Sequence, residues 1–519
     1  MTLTRRRTLR LLGAGAVLLP AVGLGLPRLV ASVTGAKTDT VGKVAFTNEV
    51  KAPPLAPSRI DGDGRRVFDL DIRAGRHEFV PGKPSPTWGV NGGYLGPTLR
   101  ARRGESVLMR VSNGVGERTS LHWHGMHLPA VMDGGPHQMI EPGTTWSPTW
   151  KIDQPAASLW YHPHTHGKTA EHLYRGVAGM FLIDENGGGD SGGDDASGPL
   201  LRLPHRYGVD DIPLIVQDRR LTDGVLDLAE DMAGTTGFLG DQLLVNGVVG
   251  PYLAVTTERI RLRLLNGSNA RVYHFHFADD RPFTLIGSDG GLLPAPHTTP
   301  RVELSPGERA EIVVEVEPGE RLVLRSDEPS TGSGFVQHDG GSDRFDVLEL
   351  RAAASLTPSP ALPARLADLP RASAESATRT RTFELSEHHI NGQQMRMDRI
   401  DFGVRKDSTE IWDVRSGDGT LHSFHVHDVQ FRVLSVDGDR PPPELAGWKD
   451  TVFVPPGRTM RLVIRFADYS DPDVPYMFHC HMLYHEDQGM MGQFVVLGPG
   501  ERPGSPPSRT VPSHEGHGS

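Results

Sequence analysis

From Val41 onward the chain is a succession of short runs in which apolar and polar residues alternate. Val67-Phe68-Asp69-Leu70-Asp71-Ile72, Ser106-Val107-Leu108-Met109-Arg110-Val111 and Ile260-Arg261-Leu262-Arg263-Leu264-Leu265 carry, wholly or in part, the period-two pattern of half-buried strands. Glu311-Ile312-Val313-Val314-Glu315-Val316 and Arg461-Leu462-Val463-Ile464-Arg465-Phe466 are richer in β-branched residues and predict more deeply buried strands. No long stretch shows a strong helical period. The pattern therefore predicts an all-β chain.

Turn signals punctuate these runs in a recurring order. Asn91-Gly92, Asn246-Gly247 and Asn391-Gly392 lie 155 and 145 residues apart, each ahead of a group of strands. Pro142-Gly143, Pro306-Gly307 and Pro456-Gly457 follow them in turn. Repetition of both markers suggests three copies of one β-domain of about 150 residues, an ordinary domain size. The expected domains are 44–185, 206–351 and 379–498. An acidic Gly-rich linker (186–205) and a Pro/Ala-rich linker (352–378) would join them, and 499–519 would be a disordered tail. Thr331-Gly332-Ser333-Gly334 is short and reads as a loop inside the second copy.

Composition refines this picture. The 519 residues allow about three domains. The 61 glycines and 42 prolines suit a turn-rich β protein. A net charge of −10, with no basic cluster beyond the extreme N-terminus, argues against a nucleic-acid partner. The single cysteine excludes an internal disulfide. Residues 1–36 read as an export signal: Arg5-Arg6-Arg7-Thr8-Leu9-Arg10, then an apolar run from Leu11 to Leu26 too short for a stable membrane span. The paired arginines resemble the twin-arginine signal, which implies the twin-arginine export machinery as a partner and a periplasmic, cell-envelope or extracellular location. An ordinary secretory signal and an uncleaved anchor are the alternatives.

The candidate chemistry lies in four histidine clusters: Leu121-His122-Trp123-His124-Gly125, Trp160-Tyr161-His162-Pro163-His164-Thr165-His166, Leu421-His422-Ser423-Phe424-His425-Val426-His427, and His479-Cys480-His481-Met482-Leu483-Tyr484-His485-Glu486-Asp487-Gln488-Gly489-Met490. Two fall in the first copy and two in the third. In an extended segment alternate side chains share a face. His122 with His124, His425 with His427, and His479 with His481 would each present two imidazoles to one side. His162 with His164 has the same spacing, although Pro163 interrupts regular geometry. Cys480 would face the other way, and so would His422, three residues before His425. Parity thus divides the ligands in two: Cys480, His422, His485 and Met490 as a mononuclear site, and eight paired histidines as a polynuclear one. A thiolate, two imidazoles and a remote thioether form the blue-copper pattern, whereas structural zinc sites favour paired cysteines.

With HWHG, WYHPHTH, HSFHVH and HCHMLYHEDQGMM all present, the chain resembles the multicopper oxidases, the family of laccases, bilirubin oxidases and bacterial copper-efflux oxidases. The resemblance covers nearly all of the chain after residue 36. It implies three cupredoxin-like Greek-key β-barrel domains and four coppers. His422, Cys480 and His485, with Met490 axial, would hold a type 1 copper; His122 and His425 a type 2 copper; His124, His162, His164, His427, His479 and His481 a type 3 pair. His166 falls outside the pattern. The implied reaction takes single electrons from a small reducing substrate at the type 1 site and reduces O2 to water at the trinuclear cluster. Asp133 and Glu486 match acidic residues near that cluster and would relay protons; a turn residue and a capping or surface carboxylate are their structural alternatives. Asp418 matches a substrate-side acid, and Trp123 and Trp160 are expected to pack around the sites.

The copper-efflux branch often carries a methionine-rich insertion over the type 1 site. This chain has 14 methionines and no such run; Met395 and Met397 are the closest approach to one, and Thr420 stands where a methionine is expected. Phenols and aromatic amines are therefore the expected donors ahead of Cu(I) or bilirubin. A cell-envelope structural protein and a copper-binding protein without turnover are the competing readings.

Overall fold

The computed structural model describes residues 37–185, 202–228, 236–332, 339–369 and 373–507. The export-signal reading and most of the first linker lie outside these residues. Among the described residues no helix is long and apolar enough to cross a membrane.

The chain is all-β with cupredoxin-like domains, and each third builds two main sheets. The first third contributes Leu99–Arg102, Gly179–Asp184, Ala157–His162 and His122–His124 to one sheet, and strands led by Arg66–Val80 and Ser106–Gly114 to the other. The last third builds Phe402–Arg405, Met491–Leu497, Asp471–Cys480, His422–Val426 and Thr451–Val454 into one five-stranded sheet. Ala377–Ser386, Ser408–Ser416 and Thr459–Phe466 lie in its companion. Separate apolar cores fill the thirds, around Phe68, Trp123 and Phe181, around Leu214, Phe275 and Ile312, and around Trp412, Phe424 and Phe478.

The threefold repeat is visible at atomic detail. Asn91, Asn246 and Asn391 all adopt left-handed backbone conformations, with φ of 56°, 49° and 54°, a region that asparagine tolerates better than most residues. Each uses its side chain as a two-pronged clasp on a neighbouring strand. Oδ1 accepts from the amides of Asp71, Ile215 and Glu384, at 2.6, 2.8 and 2.7 Å. Nδ2 donates to the carbonyls two residues earlier, Asp69, Pro213 and Thr382, at 2.8, 2.9 and 3.0 Å.

Three expected boundaries differ. Asn48–Glu49, placed by sequence in the first domain, pairs in parallel with Pro251 and Tyr252 of the middle third. The strand Phe345–Thr357 runs into the expected second linker, because Tyr252–Val255 and Thr257 offer it a partner, with Thr257 opposite Thr357; pairing overrides the Ala-rich composition there. Part of the expected disordered tail is tied down: Gly504 N donates to the Pro472 carbonyl at 2.8 Å, and Arg405 to the Glu501 carbonyl at 2.9 Å.

Candidate metal centre

Two hairpin-like pairings bring the clusters together. His122–His124 lies antiparallel to Ala157–His162, with His162 opposite His122 and Trp160 opposite His124. His422–Val426 lies antiparallel to Asp471–Cys480, with His425 opposite His479 and Phe424 opposite Cys480. Directly opposed residues share a face. His425 and His479 therefore point one way, while Phe424, Cys480 and, two residues from Phe424, His422 point the other. The strand ends at Cys480, yet His481 stays on the His479 side, with ring centroids 5.6 Å apart. Trp160 stacks on His162 at 4.1 Å, whereas Trp123 turns into the first core against Trp150.

Cys480, buried and unbonded to another sulfur, places Sγ 3.6 Å from His422 Nδ1 and 3.5 Å from His485 Nδ1. Burial pushes its thiol up to about 12. Met490 is fully buried, and its backbone carbonyl accepts from Cys480 N at 3.1 Å. His485 comes from a short helix, Leu483–Asp487. Successive helical side chains diverge by about 100°, so His485 faces the cysteine while Glu486 faces the other cluster.

That second cluster holds eight buried imidazoles. His122, His162, His425 and His479 each donate from Nδ1 to a backbone carbonyl, those of Asp133, Pro163, Asp450 and Cys480, at 2.8, 2.7, 2.8 and 3.1 Å. A carbonyl can only accept, so Nδ1 carries the proton in each and Nε2 is bare. His427 donates from Nδ1 to Asp133 Oδ2 at 2.6 Å. His124 is reversed: Nε2 faces Asp450 Oδ1 at 3.0 Å, and Nδ1 faces His162 Nε2 at 3.3 Å. The inward nitrogens therefore crowd as lone pairs. His427 Nε2 and His164 Nε2 each lie 3.2 Å from His479 Nε2. Among the described residues, Nε2 of His122, His425 and His481 has no hydrogen-bond partner. Burial, aided by neighbouring imidazoles, depresses His124, His162, His425 and His427 far below the ordinary histidine range, and His164 and His481 to about 3. Neutral rings with converging lone pairs repel one another unless a cation lies between them. The donor set fits metal ions, and imidazole suits copper.

The three acids sit differently. Asp133 is buried between His427 and His122, with Oδ1 lacking a hydrogen-bond partner among the described residues. Glu486 is buried 3.4 Å from His164 Nδ1 and 3.3 Å from His479 Nδ1. Burial opposes its charge, but those imidazoles outweigh burial and hold the carboxyl well below its usual range. Asp418, near the surface, has Oδ1 3.2 Å from His422 Nε2; burial again opposes its charge, and the His422 contact outweighs it. His166 is exposed, outside both groups. Sequence spacing gave no sign of Asp450, Thr451 or Arg309. Asp450 and Thr451 contact His124, and Arg309 grips both Asp450 oxygens at 2.7 Å.

Comparisons with known proteins agree with this geometry. Residues 71–187 and 363–499 each match the family description Multicopper oxidase. Multicopper oxidase mco of Staphylococcus haemolyticus (strain JCSC1435) is 34% identical over 457 residues, which is 86% of this chain and 92% of that protein. Cell division protein FtsP of Xenorhabdus nematophila is 37% identical over 451 residues, covering 86% of this chain and 91% of its own. A crystal structure of a laccase from Pediococcus acidilactici matches with a TM-score of 0.78 at 35% identity, over 88% of this chain and 95% of that one. By its sequence and its fold, this chain belongs to the multicopper oxidase family.

Proposed function

We propose that the protein is an exported, laccase-like oxidase that couples one-electron oxidation of small organic donors to reduction of O2 to water. The observation that carries this reading is the pair of bare nitrogens, His427 Nε2 and His479 Nε2, buried 3.2 Å apart with their protons committed elsewhere. His422, Cys480, His485 and Met490 would hold one copper. His122 and His425 would hold a second, and His124, His162, His164, His427, His479 and His481 a pair. When bound, copper supplies one-electron acceptance at the cysteine site and four-electron delivery to O2 at the histidine cluster.

The chain's own residues supply the rest. Cys480 is covalently continuous with His479 and His481, so a short stretch of backbone joins the two ligand sets, and the His479 Nδ1 bond to the Cys480 carbonyl adds a second connection. Asp133 and Glu486 would hold protons for the oxygen chemistry; each lies beside cluster histidines and, among the described residues, each has a carboxylate oxygen free of hydrogen bonds. At the donor side Asp418 stands between solvent and His422, where its carboxylate would accept from an ammonium or a phenolic hydroxyl. Thr420 puts a hydroxyl, not a thioether, 3.2 Å from His422 Nε2, which favours organic donors over Cu(I). The paired arginines of residues 1–36 support export through the twin-arginine machinery.

The relative named as a cell division protein favours a second reading, a cell-envelope protein without turnover. The full set of buried ligands weighs against it. Oxygen uptake by the copper-loaded protein, with a phenol, an aromatic amine, Cu(I) and bilirubin supplied in parallel, separates the two. The oxidase reading expects four donor electrons consumed per O2 with no peroxide accumulating, fastest with the organic donors. No uptake with any donor would support the second reading.

A further inference from the structure

Among the described residues the middle third contributes no histidine to the cluster, yet it supplies a wall. Gly307, at φ +88°, packs so tightly on the His481 ring that a Cβ there would approach it to 3.1 Å. The Pro306 carbonyl accepts from the Ser423 hydroxyl at 2.9 Å. Two residues beyond Gly307, Arg309 is fully buried and ties the three thirds together. Its Nε donates to the Ser158 carbonyl of the first third at 2.9 Å. Nη1 and Nη2 donate to the Gly307 and Asp289 carbonyls of the middle third at 3.1 and 2.9 Å. The same nitrogens bond Asp450 of the last third at 2.7 Å each. Asp450 Oδ1 in turn accepts from His124 Nε2 at 3.0 Å.

We propose that Arg309 is a positioning residue for the histidine cluster: acting through Asp450, it keeps the proton of His124 on Nε2 and turns the bare Nδ1 inward. The proposal rests on the reading of the cluster as a copper site. A buried carboxylate can only accept, so its contact fixes which nitrogen carries the proton. The two parallel bonds from a planar guanidinium fix the orientation of that carboxylate. His122, His162, His425 and His479 obtain the same control from backbone carbonyls, and His427 from the Asp133 carboxylate. His124 offers its Nε2, not its Nδ1, to a carboxylate, and Arg309 holds that carboxylate from another domain. Gly125 makes the approach possible: a Cβ there would meet Asp450 Oδ2 at 2.4 Å and Arg309 Nη2 at 2.9 Å.

The test loads wild type, Arg309→Met, Arg309→Lys and Lys449→Met with copper. It reads copper affinity, copper per chain, the electron spin resonance spectrum, the blue band, and thermal unfolding of the copper-free proteins. Lys449 is the control: it is a buried cation of the same network, pairing with Asp289 and Glu308 rather than a histidine. Arg309→Met should weaken copper binding at the histidine cluster about 10–100-fold while the blue band persists, the usual scale for losing a group that orients a metal ligand. Arg309→Lys, with charge but no parallel pair of donors, should fall between Arg309→Met and wild type, and it decides the matter if Arg309→Met does not fold. Lys449→Met should lower copper-free stability and leave copper binding intact. Wild-type copper binding and spectra in the Arg309 variants would overturn the proposal, as would equal copper loss in Lys449→Met. A wild type that binds no copper would instead overturn the copper reading itself.

Discussion

Cys480 holds its sulfur within 3.6 Å of two imidazoles while its carbonyl accepts from His479 on the opposite face. Cys480→Ser should therefore abolish the blue colour and donor oxidation while most cluster copper remains, measured by absorption, oxygen uptake and copper analysis; retained oxidation would refute the electron route. Asp133→Asn and Glu486→Gln probe the other end. Each should slow oxygen turnover by about 100-fold or more, the range for losing a positioned acid–base group, without changing the rate at which donor bleaches the blue band under anaerobic conditions. Slowed bleaching would place these acids elsewhere in the mechanism. The division of the candidate ligands between two faces was legible in the sequence because parity suffices to sort them: Cys480 and His422 on one face, His425, His479 and His481 on the other. The reversal of His124 was not legible. It depends on Asp450, 326 residues away, and neither Trp448-Lys449-Asp450 nor Pro306-Gly307-Glu308-Arg309 carries a spacing that marks it as part of a site.

Two short helices lock the histidine-bearing segments of the first and last thirds together. Asp487, which ends Leu483–Asp487, accepts from the amides of Thr169 and Ala170 at 2.8 and 2.9 Å and so caps the helix Thr169–Arg175 of the first third. Those amides lack partners within their own helix. Asp487→Ala should cost about 1 kcal/mol, read as a lower midpoint of thermal unfolding with the blue band retained. An unchanged midpoint would mean that the cap is dispensable. The strands themselves were readable: each alternating run named from the sequence falls in a strand or overlaps one, as with Arg66–Val80 and Arg259–Asn266. Strand ends were harder. Phe345–Thr357 passes into an Ala-rich segment because a partner strand continues beside it, and no local composition records that.

The three thirds repeat a fold and divide the work. The repeat was legible because Asn-Gly is demanded by one strained turn conformation in each copy. The involvement of the middle third in the cluster was not, since it acts through ordinary turn residues and one arginine. With candidate ligands drawn from both the first and last thirds, copper binding should couple to the stability of the whole molecule. Each site filled at a free concentration of 100 times its dissociation constant adds about 2.7 kcal/mol if the unfolded chain does not bind. Chelation should therefore lower the unfolding midpoint, and calorimetry with and without copper checks this. Metal content tests the four-copper reading most directly: fully loaded protein should contain four coppers per chain and show an intense blue thiolate-to-copper band, with a spin resonance spectrum reporting two isolated and two coupled ions. Fewer coppers after full loading, or no blue band, would contradict it.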